Sequence, residues 1–103
     1  MKEYPAREVR REPTHPGALL SEILPALDLG VSDAAAKLGV TRQTLHRIIR
    51  GQTTVTPEMA VRLGKFCGNG PNLWLAMQHG YDLWHARRKL GAAIDSIPTM
   101  KQA

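Results

Sequence analysis

Cysteine is almost absent: Cys67 is the single one in 103 residues, which excludes an internal disulfide and any multi-cysteine metal site. It stands between Phe66 and Gly68 at the end of an apolar stretch and reads as a small buried hydrophobe near a helix C-terminus, not as a reactive thiol. Long apolar runs are missing too. Nothing approaches the roughly twenty residues that cross a bilayer, and the charged stretch Met1–Arg11 lacks the apolar centre of a signal peptide. The expectation is a cytoplasmic chain with no membrane partner. Alternating strand patterns, internal repeats and low-complexity segments are likewise absent. His15, His46, His79 and His85 have no carboxylate pair or second cysteine to complete a set, and His79 and His85 are six positions apart, off the one-face i, i+4 spacing. No catalytic residue, metal or cofactor is expected, and the chain reads as a non-enzyme.

What is present is positive charge. Fourteen Lys and Arg residues face nine Asp and Glu, a net charge of +5, which suits a polyanion such as nucleic acid or an anionic surface. With 43% hydrophobic and 22% charged residues, the chain can build one domain with a modest core. Residues 1–13 read as a flexible charged arm with little to bury beyond Tyr4 and Val9. Residues 14–90 read as the folded domain, and 91–103 as a frayed tail.

The folded part reads as five helices. Pro16 starts the first, in which Leu19, Leu20, Ile23, Leu24 and Leu27 recur at helical spacing, and Pro25 should end or kink it near Leu24. His15 is placed to cap or orient its start. Asp28 and Gly30 make a turn, and Val31 to Leu38 forms a short alanine-rich helix closed by Gly39. Thr41 caps a third helix, Arg42 to Arg50, which Gly51 stops. Thr56-Pro57-Glu58 opens a fourth with a cap, a first-turn proline and an acid at the positive end of the helix dipole. The fifth, Pro71 to Lys89, carries Trp74, Met77, Tyr81 and Trp84 at spacings of three and four, predicting one apolar seam. That seam is either intrasubunit core or a dimer interface. Gly80 inside it weakens the helix, or admits another chain closely.

Helix, glycine turn, helix is the helix-turn-helix pattern. On a wheel of the third helix Leu45, Ile48 and Ile49 share one face, while Gln43, Arg47 and Arg50 gather opposite, with Arg42 and Thr44 flanking them and His46 at the border. The helix is about 14 Å long and fits a major groove about 12 Å wide. Gln can pair with the N6 and N7 edge of adenine, and Arg with O6 and N7 of guanine, whereas Thr41, tied to its cap, suits a phosphate. No acidic residue falls between Asp33 and Glu58, a window holding Lys37, Arg42, Arg47 and Arg50. Double-stranded DNA is the partner these residues predict.

The sequence resembles the HigA-type antitoxins of the Xre/Cro-like helix-turn-helix family. The resemblance rests on His15-Pro16-Gly17, Leu38-Gly39-Val40-Thr41-Arg42-Gln43-Thr44-Leu45, Gly51, Thr56-Pro57-Glu58-Met59-Ala60, Arg62-Leu63, Trp74-Leu75 and Tyr81-Asp82-Leu83-Trp84. It spans about His15 to Arg87 and implies an all-α, five-helix, lambda-repressor-like DNA-binding domain that forms a homodimer. It further implies neutralisation of a HigB/RelE-like mRNA-cleaving toxin and repression of the protein's own operon. Carried over by position, Arg42, Gln43 and Arg47 would read operator bases, and Thr41, Thr44, Arg50 and Gln52 would hold the backbone or groove edge. Trp74, Met77, Tyr81 and Trp84 would form the dimer seam. A stand-alone regulator without a toxin, and an interaction module that has lost DNA binding, are the alternatives.

Overall fold

Four of the five helix starts carry a residue that answers the unpaired N–H groups of a first turn or lacks one itself; the helix that follows Gly30 is the exception. The computed structural model describes residues 11–100 and contains helices α1 (Pro16–Ala26), α2 (Val31–Leu38), α3 (Arg42–Ile49), α4 (Pro57–Cys67) and α5 (Pro71–Leu90), followed by a 3-10 turn, Gly91–Ser96. Most of the N-terminal arm, residues 1–10, and the last residues, 101–103, lie outside the described part. Among the described residues there is no strand, and no helix is long and apolar enough to cross a membrane.

His15 caps α1, its Nδ1 accepting the Gly17 N–H at 2.9 Å, and Thr41 and Thr56 cap α3 and α4 through their hydroxyls. The first helix departs from expectation at its end: α1 runs through Pro25 to Ala26. Pro25 lies in the last turn, so only one ladder bond is forfeited. The helix is closed instead by Asp28, at φ +58°, whose N–H bonds Pro25 O at 2.9 Å while Leu29 N–H reaches back to Leu24 O at 3.0 Å. This is the Schellman arrangement with aspartate at the left-handed position, one of the few side chains that tolerate it. Gly30, which the sequence places in that turn, caps α2 at φ −81° and needs no glycine conformation.

The core joins Leu20 and Leu24 of α1, Leu38 of α2, Leu45 and Ile48 of α3, and Leu63 of α4 to Trp74 of α5. The buried alanines Ala34 and Ala35 let α2 pack against both α3 and α4. Arg62 fastens α4 to the end of α2 by donating to Leu38 O at 2.8 Å. Gly64 and the α5 entry nearly touch: a Cβ built on it would stand 2.2 Å from the Gly70 carbonyl carbon.

The long α5 packs chiefly on α4 and touches α1. Its predicted apolar seam divides. Trp74 is fully buried and donates its indole N–H to Asn69 Oδ1 at 3.0 Å, so it belongs to the subunit's own core and is not available to a second chain. Met77, Tyr81 and Trp84 are half-buried. One turn beyond Trp74 the inward position belongs to a polar side chain, Gln78, only 2% exposed. Its Oε1 accepts the Val55 N–H at 2.9 Å, and its Nε2 donates to Asp82 Oδ1 at 2.9 Å. The α3–α4 loop has no ladder of its own, and Gln78 supplies the acceptor that a buried loop N–H requires. Beyond Tyr81 the helix leaves the body and contributes to extents of 53 × 27 × 22 Å, and the tail predicted to fray turns through Gly91–Ser96.

Candidate nucleic-acid interface

The α3 wheel predicted from sequence is realised. Leu45 and Ile48 are buried and Ile49 half-buried, while Arg42, Gln43, Thr44, Arg47 and Arg50 are exposed. Arg42, Gln43, His46, Arg47 and Arg50 of α3 and its cap, together with Gln52 from the following loop, line one open cavity of about 490 Å³. Among the described residues no acidic side chain lines it. Three guanidiniums and two amides therefore present donors on a single concave surface, the chemistry that meets phosphate oxygens and purine edges.

The two threonines of the set stand apart from this surface. Thr41 Oγ1 accepts the Thr44 N–H at 3.0 Å and donates to Thr44 Oγ1 at 2.8 Å. Thr44 faces a neighbouring cavity of about 310 Å³ that also holds Thr53, Thr54 and Thr56. Glu58 and Arg62, 3.5 Å apart, close that second cavity.

The far end of α3 is set by the His15-Pro16-Gly17 turn. His15 Nδ1 accepts from Gly17, so Nε2 carries the proton and donates to Thr53 O at 3.2 Å. The same ring lies beside Gly51, where a Cβ would stand 3.6 Å from it, and edge-on to Tyr81 at 4.9 Å. One imidazole thus ties the α1 start, the loop after α3 and α5 together. The sequence identifies the cap, but the reach to Thr53, 38 residues on, has no local signature. Gln78 is missed for the same reason.

Further aromatic and histidine side chains gather on α5. Tyr81 and Trp84 both contact His85, at 4.5 and 5.0 Å, and the Arg88 guanidinium lies 4.8 Å over the Trp84 ring. His85 Nε2 meets Glu12 Oε2 at 2.6 Å, bringing the end of the arm onto α5. Among the described residues no group of three or more potential ligands is placed to hold a metal ion. Burial pushes the Cys67 thiol up from its ordinary value, which disfavours the reactive thiolate.

The helix-turn-helix family model matches residues 26–74, the stretch that runs from the end of α1 to Trp74. Virulence-associated protein A' of Dichelobacter nodosus is 40% identical over 74 residues, 71% of this chain and 64% of that protein. The chain thus spans somewhat under two thirds of that relative. Antitoxin HigA-1 of Vibrio cholerae is 33% identical over 84 residues, 81% of this chain and 79% of the antitoxin. The structure of Pseudomonas aeruginosa antitoxin HigA with the higBA promoter superposes with a TM-score of 0.79 at 30% identity, covering 87% of this chain and 99% of that one.

Proposed function

The chain belongs to the Xre-like helix-turn-helix family, in its HigA-type antitoxin branch, and from that premise we propose that it is the antitoxin of a type II toxin–antitoxin system. It binds and neutralises a HigB/RelE-like mRNA-cleaving toxin and represses its own operon by sequence-specific DNA binding, acting by binding alone with no chemical step. The observation that carries the DNA half is the donor-rich cavity on the outer face of α3, with no acid among the described residues that line it. The toxin half follows from membership of the antitoxin branch. Copurification with the product of the neighbouring reading frame tests it, and a neighbour that neither binds this chain nor is neutralised by it removes the toxin half while leaving the DNA half standing.

In this reading Arg42, Gln43 and Arg47 take bases in the major groove, and Arg50 and Gln52 hold the backbone or groove edge. Thr41 and Thr44 meet the backbone at the other end of α3. Arg47→Ala is expected to cost about 1–3 kcal/mol of operator binding and to relax the preference at one base pair. Arg50→Ala is expected to weaken all sequences alike and to flatten the dependence of log K on log salt by about one. Titrations of operator and unrelated duplex at several salt concentrations separate the two.

A homodimer places two α3 helices in successive major grooves about 34 Å apart. With Trp74 in the core, we assign self-association to the partly exposed stripe Leu73, Met77, Gly80 and Trp84, at spacings of four, three and four on α5. A Cβ at Gly80 would meet nothing within 4 Å inside the subunit, which leaves room for a second helix to come close. Gly80→Ala is accordingly expected to weaken self-association in sedimentation equilibrium, although alanine favours the isolated helix by about 1 kcal/mol. A tighter or unchanged dimer would move the interface elsewhere.

A further inference from the structure

His46 sits on the groove-facing helix yet has no place in the contacts assigned so far. It is half-buried, and both ring nitrogens are shut off from solvent without a hydrogen-bond partner among the described residues. A buried imidazole left unpaired is unfavourable, and a folded chain that keeps one needs a reason. The ring borders the cavity formed with Arg42, Gln43, Arg47, Arg50 and Gln52. Arg42 and Arg50 stand four residues before and after it, in one row along the helix.

The chemistry of that row is one-sided. A guanidinium offers donors only, whereas a neutral imidazole has one N–H and one bare acceptor nitrogen. In the major groove a guanine presents acceptors that suit arginine, and the cytosine paired with it presents an N4 amino group that arginine cannot take; adenine likewise presents an N6 amino group. An acceptor set between two arginines completes the reading of such a pair.

We propose that His46 is a further specificity-determining residue, whose unpaired ring nitrogen accepts a hydrogen bond from the exocyclic amino group of a cytosine or adenine beside the base taken by Arg42. The proposal rests on α3 entering the major groove. Among the described residues the nitrogens have no partner in the free protein; on DNA the side chains that line the cavity with His46 rearrange to their own contacts, and the imidazole gains the amino group. Its unfavourable burial in the free state is the counterpart of selectivity in the bound state.

The test is selection from a randomised duplex DNA library by the parent, His46→Ala, His46→Gln and His46→Leu chains at one salt concentration, with thermal melting alongside. The parent is expected to demand an amino-bearing base at one position per half-site. His46→Ala is expected to lose that demand by about tenfold or more, with the preferences at other positions and the salt slope kept. His46→Gln is expected to shift the position towards adenine, which an amide pairs through N6 and N7. His46→Leu, which removes the unpaired nitrogens, is expected to melt no lower than the parent while losing the same preference. The proposal is overturned if His46→Ala keeps the parent's motif, if it weakens every position equally, or if the lost position carries no amino group in the parent's motif. A parent that enriches no motif at all removes the DNA reading itself, and this proposal with it.

Discussion

Trp74→Ala is expected to cost about 3–5 kcal/mol, the range for deleting a large aromatic side chain from a packed interior. Trp74 is 0% exposed and heads the fully buried side chains by volume, and its indole N–H is satisfied by Asn69. Truncation empties the centre of the α4–α5 packing and leaves Asn69 without its donor. A domain of this size has on the order of 5–15 kcal/mol in total, so the variant should be close to unfolded at 37 °C. Circular dichroism on heating reads this directly. Were Trp74 instead part of a seam between subunits, the variant would dissociate into folded monomers, and sedimentation with retained helical signal would reveal them. Leu83→Ala is the internal control, because Leu83 is 52% exposed and its loss should cost markedly less.

Gly17→Ala should be nearly as damaging, through the opposite fault. A Cβ at that position would lie 1.9 Å from Ile48 O, 2.9 Å from Ile48 C and 3.0 Å from Ile49 O. All three atoms are backbone, so no rotamer change relieves the clash and α1 has to retreat from α3. Overpacking of this kind costs about 1–3 kcal/mol, occasionally more, and should lower the melting temperature by roughly 10–20 °C at the upper end. The retreat also releases the end of α3 that carries Arg47 and Arg50. Operator affinity should therefore fall in Gly17→Ala even at temperatures where the helical content is intact. An unchanged melting curve would mean that α1 and α3 do not meet this closely. The same geometry explains the His15-Pro16-Gly17 turn as a unit: a cap, a first-turn proline that lacks the unpaired N–H, and the one side chain small enough to lie on a carbonyl.

Much of the candidate site on α3 is legible along the chain because its signals are local. Thr41 caps a helix whose next residues are Arg42 and Gln43, Gly39 and Gly51 bracket it at positive φ, and the wheel alone turns Leu45 inward and Arg47 outward. Where the sequence misleads, a local rule meets a tertiary alternative. Pro25 should stop α1, but Asp28, three residues later, accepts the left-handed closure. The aromatic spacing on α5 reads as one stripe, but a helix that packs on α4 at one end and projects from the body at the other buries Trp74 and leaves Trp84 at the surface.

The sequence by itself determined the five helices, the caps His15, Thr41 and Thr56 and the residues on the outer face of α3, since capping and helical periodicity act over three or four residues. Only the tertiary structure decided that Gln78 turns inward to take the Val55 N–H, that His15 reaches Thr53, that Gly17 lies on Ile48 and that the His46 nitrogens are enclosed. Each of these depends on which element arrives opposite, at distances of a few ångströms set by packing across segments far apart in the chain, and no pattern within a single helix encodes it.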